Sequence, residues 1–296
     1  MVTNVVNQSN HDLRSGWLNG LVGVVIFSGS LPATRIAVQE MDPFFLTFIR
    51  ASIAGLLAIM LILFFREKRP TRNQLFSLIV VSLGVVIGFP LLTAMALQHV
   101  TSSHSIVFLG LLPMATAIFG VIRGGERPKL AFWIFSAIGS VLVMGFALSQ
   151  DIAISATGDL LMLASVVVCG LGYAEGARIS RELGGWQVIC WALIISLPLM
   201  LLATIETMPD DIGVISLQGW IALGYVSLFS MLIGFIFWYR GLVAGGIAAV
   251  GQLQLLQPFF GLGLSATLLS EKVSPLMIAV TLGVILCVMG SRKFAH

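Results

Sequence analysis

The chain has 296 residues, 58% of them hydrophobic and 10% charged, with a formal net charge of +3 and a mean hydropathy of +1.02. Soluble domains carry about 25% charged residues, and a soluble fold of this length has too much surface to hide so much apolar side chain. The composition excludes a soluble enzyme, and the basic residues are too scattered to form a nucleic-acid surface.

Residues 1–15 are polar and read as a cytoplasmic tail. A spanning helix needs roughly 20 mostly apolar residues. The first such run, about 17–38, is too long for the core of a signal peptide and no small-residue cleavage site follows, so it is expected to remain as a helix. It carries Ser28, Gly29, Ser30, Pro32, Thr34 and Arg35. A break near Pro32 would turn backbone groups toward a cavity, while the small residues equally suit close helix packing. The second run, about 44–65, holds Arg50, ~10 Å below the outer edge at ~1.5 Å per residue. Arg50 either meets a substrate carboxylate or snorkels to the interface. The third, about 75–97, has Gly84, Gly88, Pro90 and Thr93, with a candidate hinge at Gly88-Phe89-Pro90. His99 and His104 flank the next turn and read as interfacial residues, with a gate as the alternative role for His104. The fourth run, about 102–122, carries Phe108 near mid-depth and then Pro113; the fifth is about 130–148.

The sixth run, about 159–178, has Tyr173 and Glu175, with Arg178 three residues on. A local ion pair is the plain account of Glu175, and a gating or proton-coupling carboxylate the sharper one. The seventh is about 187–205. The eighth, about 218–239, places Ser227 and Ser230 one turn apart. Its aromatic residues end in Trp238 and Tyr239, which suit an interfacial belt or substrate stacking. The ninth, about 246–268, brings Gln252, Gln254 and Gln257 just before Pro258. Glutamines at membrane depth either line a cavity or bridge packed helices. The tenth is about 276–291. Cys169, Cys190 and Cys287 lie inside apolar runs without metal-ligand spacing, so no metal or cofactor is expected.

The basic residues alternate along these runs. With the N-terminus inside, Arg14, Arg66, Lys68, Arg69, Arg72, Arg123, Arg127, Lys129, Arg178, Arg181, Arg240, Arg292 and Lys293 fall on the cytoplasmic side, and Lys272 alone falls outside. Both termini are therefore expected in the cytoplasm. The chain also compares with itself at an offset of 145: Pro113 with Pro258, Glu126 with Glu271, and Val143-Met144-Gly145 with Val288-Met289-Gly290. An odd period of five helices inverts the second half in the membrane. The expected fold is an all-α integral membrane protein of ten transmembrane helices, arranged as two inverted five-helix repeats over 16–150 and 151–296. Such halves suit alternating access around a central site.

These features resemble the EamA-type drug/metabolite transporter superfamily: ten helices, a duplication, and a proline with a glutamate thirteen residues later in each half. Within it, the chain looks most similar to YddG-type exporters of aromatic amino acids. The resemblance implies a secondary transporter, an exporter of aromatic or hydrophobic amino acids and related metabolites, in a bacterial cytoplasmic (inner) membrane. The partners implied are a small-molecule substrate and the lipid bilayer. No GxxxxGK[ST], GxSxG or HExxH occurs, which argues against ATP drive and against an intramembrane enzyme. With Glu175 the one deep carboxylate, facilitated diffusion is favoured over proton coupling. GxxxG spacings arise easily with 31 glycines and assign no oligomer.

Overall fold

The computed structural model describes residues 2–100, 105, 108–148, 155–261 and 275–295, and among these there is no strand. The helix Val2–Ser28 breaks at Gly29 and resumes as Ser30–Ala37; its apolar part, Arg14–Ala37, is α1. α2 is Pro43–Phe64, and α3 is Arg72–His99 with a π-helical stretch at Ser82–Gly88. α4 is Leu112–Gly124 and α5 is Leu130–Leu148. α6 is Ala156–Leu183, α7 is Gly185–Glu206, and α8 is Leu217–Gly245 with a π-helical stretch at Val226–Ile233. α9 comprises Ile247–Gly251, a 3-10 stretch Gln252–Leu256 and helix again over 257–261; α10 is Pro275–Phe294. Among the described residues six helices, α1, α2, α3, α6, α7 and α8, are long and apolar enough to cross a membrane, and α4 and α5 are shorter apolar helices. The turn with His104 and the segment with Glu271 and Lys272 lie outside the described residues.

Local chemistry fixes the helix starts. Asp42 accepts from the Phe44 and Phe45 amides at 2.8 and 3.2 Å, ahead of Pro43 in the first turn of α2. Ser216 accepts from the Gly219 amide at 3.2 Å, and the Gln74 side chain accepts from the Thr71 amide at 2.9 Å. These bonds satisfy amides that a helix start leaves without partners. Pro32 has no N–H for the Ser28 carbonyl, and the helix breaks at Gly29. Pro90 likewise offers no N–H to the Val86 carbonyl, and the backbone upstream shifts to a wider turn in which the Phe89 amide bonds the Gly84 carbonyl.

Packing repeats between the halves. The main contacts of α1 are with α8, and those of α3 are with α6; α2 packs on α7 and α5 on α10. Gly20 meets Gly241 where α1 crosses α8, and Gly84 meets Gly172 where α3 crosses α6, each too close for a Cβ. The π-helical stretches begin at Ser82 and Val226, near the offset of 145 that relates the prolines. At one end of the bundle the Glu40 carboxylate accepts from the Ser216 amide and hydroxyl, both at 2.7 Å, joining the end of α1 to the start of α8. At the other end Gln74 donates to Glu182 at 3.1 Å, joining the start of α3 to the end of α6. Outward faces carry bare leucines such as Leu63, Leu130, Leu202 and Leu217, a surface made for lipid rather than water.

Candidate functional site

The break in α1, the two π-helical stretches and the start of α4 converge on a small cavity. Its polar lining comprises Ser30 and Thr34 of α1, Arg50 of α2, Thr93 of α3, Tyr173 of α6, Ser230 of α8 and Gln257 of α9. Its apolar lining includes Phe27, Leu31, Val85, Phe89, Pro90, Leu109, Leu112 and Phe235. Aromatic rings form one wall: Phe27 meets Phe235 edge-on at 5.1 Å, and Tyr173 lies 5.8 Å from Phe235 and 5.3 Å from Trp238.

Arg50 is 5% exposed, so its side chain does not snorkel. Its Nη2 donates to the Val226 carbonyl at 3.2 Å and to the Ser230 hydroxyl at 3.4 Å, both within the π-helical stretch of α8. Nε has no partner. Ser30 donates to Ser230 at 2.7 Å, so α1 and α8 are tied beside the guanidinium. The carbonyls next to the α1 break are also used: Tyr225 donates to that of Ile26 at 2.5 Å and Gln257 to that of Phe27 at 3.2 Å.

Toward the end of the bundle rich in arginine, the cavity gives way to a polar network. The Glu175 carboxylate is wholly buried and accepts from Arg123 Nε at 2.7 Å and from Arg178 Nη2 at 2.6 Å. Arg178 also donates to Ser77 at 2.6 Å. Glu175 thus joins α4, α6 and α3, and its pairing with Arg178 is one part of a larger cluster. Beside it, Glu126 accepts from the Ile247 and Ala248 amides at 2.6 and 2.7 Å and caps the start of α9. It brings a negative charge to the positive end of a helix.

The cavity therefore brings together Ser30, Arg50, Pro90, Thr93, Tyr173, Ser230 and Gln257 from the sequence reading. Other residues named there sit elsewhere. Ser28 and Ser227 bond carbonyls of their own helices, those of Val25 and Leu223. Gln252 and Gln254 are buried and do not line the cavity. Trp238 and Tyr239 are wholly buried rather than at an interface, and Tyr239 donates to the Gly172 carbonyl at 3.1 Å. Phe108 packs against the main core. Pro32 is exposed; Pro113 and Pro258 are buried, each just after a turn that is not α-helical, at 110–111 and Gln252–Leu256. Phe27 was not singled out from sequence. Its signal is its place two residues before the α1 break.

The sequence profile of the EamA-like transporter family matches this chain twice, over residues 14–148 and 156–292. Among similar proteins is the uncharacterized transporter YdeK of Bacillus subtilis (strain 168), 64% identical over 281 residues that cover 95% of this chain and 98% of that one. The uncharacterized inner membrane transporter YedA of Escherichia coli (strain K12) is 24% identical over 210 residues, 71% of this chain and 68% of that one. A crystal structure superimposes with a TM-score of 0.74 at 19% identity, covering 95% of this chain and 98% of its own, a likeness of fold alone. Two copies of the profile account for almost the whole sequence, and a relative of matching length is 64% identical: the chain is a multi-pass membrane protein that belongs to the EamA-like transporter family.

Proposed function

We propose that this transporter exports aromatic or hydrophobic amino acids and related metabolites across the bacterial cytoplasmic membrane. Ten helices in two inverted repeats, 16–150 and 151–296, with both termini in the cytoplasm, would rock around the central cavity. The observation that carries this reading is the cavity lining, which combines aromatic Phe27, Tyr173 and Phe235 with polar Ser30, Arg50, Thr93, Ser230 and Gln257. Apolar body and polar head would each find a matching surface. The recurrence of the α1/α8 packing as α3/α6, with ties at opposite ends, supports the inversion.

The test is uptake and counterflow of labelled phenylalanine, tyrosine, tryptophan, leucine and valine in proteoliposomes of the purified protein. Saturable movement of the aromatic or branched members supports the reading. If all five fail while a different metabolite class moves, the amino-acid assignment falls. Gln257→Ala should lower transport while membrane yield holds, and unchanged transport would return that glutamine to helix packing.

A further inference from the structure

The charge inside this cavity is unbalanced. Among the described residues Arg50 is the one charged group in its lining, and no described aspartate or glutamate pairs with it. α1 contributes hydroxyls to the lining, α3 a threonine, α6 a phenol, α8 a serine and α9 an amide, but no acid. Arginine holds its proton at neutral pH and carries five N–H donors. Among the described residues one nitrogen meets two neutral oxygens at 3.2 and 3.4 Å, and Nε meets none. A buried cation so poorly matched is costly unless an anion joins it. Ser230 accepts from both Ser30 and Arg50 and so keeps its own hydroxyl proton for a further acceptor. Arg50 and Ser230 thus line the cavity with donors to spare, in the company of the aromatic Phe27, Tyr173 and Phe235.

We propose that Arg50 is the cavity's receptor for a carboxylate, so that the substrates are small monocarboxylates with an apolar body. The acid group is obligatory and an amino group dispensable. A guanidinium binds a carboxylate through a forked pair of charge-assisted hydrogen bonds. Among the described lining residues the ammonium of an amino acid would meet no acid, only aromatic rings and neutral polar groups. This deepens the transporter reading of the cavity and rests on it.

The test compares four matched compounds on the full-length protein in nanodiscs, read by thermal stabilisation, with counterflow in proteoliposomes as a second readout. Phenylalanine has both groups, 3-phenylpropionate only the acid, and phenylalaninamide and phenethylamine only the amine. The two acids should stabilise the protein at concentrations at least tenfold lower than the two amines. Arg50→Gln should abolish that difference and Arg50→Lys should keep part of it. If Arg50→Gln does not fold, the acid-to-amide comparison on the natural protein and on Arg50→Lys decides the matter. Equal effects of phenylalanine and its amide, or an acid preference that survives in Arg50→Gln, would overturn the inference even if amino acids are transported. If no phenylalanine derivative binds, the aromatic reading fails separately, and a panel of short-chain and hydroxy acids against their amides then tests Arg50. An acid preference in that panel supports the receptor, and its absence overturns it.

Discussion

A Cβ at Gly29 would lie 2.5 Å from the Tyr225 hydroxyl, which donates to the Ile26 carbonyl at the break of α1. Gly29→Ala must therefore push the phenol away and leave a carbonyl unpaired. We expect a loss of about 1–3 kcal/mol, against about 1 kcal/mol for Tyr225→Phe, which removes the bond without the clash; melting temperatures in detergent would order the two. Glu126 works on the same scale. Its carboxylate holds two amides at the start of α9, so Glu126→Ala should cost about 1–2 kcal/mol, and faster hydrogen exchange at Ile247 and Ala248 would locate the loss. Much at this scale was legible in the sequence. Arg50 and Pro90 stand out as a charge and a breaker within apolar runs. The second partner of Glu175 was not legible, because Arg123 lies 52 positions away and only the packing of α4 on α6 brings it near.

The helices carry their own irregularities as devices. Pro90 explains the π-helical stretch at Ser82–Gly88, and replacing it with alanine restores the missing N–H donor. Pro90→Ala should let this stretch relax toward regular helix. We expect a higher melting temperature but reduced transport, since Val85 and Phe89 would turn away from the cavity they line. Equal or greater transport by Pro90→Ala would show the wider turn to be incidental. Proline read from sequence locates such distortions only approximately: the break in α1 falls at Gly29, one turn upstream of Pro32, because the lost bond belongs to an earlier carbonyl. α8 contains no proline, so nothing of that kind in the sequence announced its π-helical stretch. That helix also runs to Gly245, past the expected end near 239, and ends ahead of Gly246 at φ 88. Six more residues add about 9 Å of helix, which moves Trp238 and Tyr239 from an apparent edge into the interior.

At the scale of the molecule, each half-to-half packing has a counterpart, but the ties at the two ends of the bundle are unequal among the described residues. The arginine-rich end has the Glu175 cluster and the Glu126 cap in addition to the Gln74–Glu182 bond. Glu175→Gln weakens both arginine contacts and should raise access from that end. A cysteine placed at the buried Ala177 reports this, with faster labelling by a charged thiol reagent expected in Glu175→Gln than in its absence. The repeat was legible because it follows from residue order; the unequal closure was not, because it depends on which side chains meet in three dimensions. The solitary guanidinium of Arg50 has a kinetic consequence for the whole cycle. On the carboxylate reading, a loaded carrier reorients with its charge neutralised, whereas an empty one must reorient with a bare cation at its centre. Return of the empty carrier then becomes the slow step. Substrate on the far side should accelerate efflux severalfold over efflux into empty medium, and Arg50→Gln should make the two rates converge.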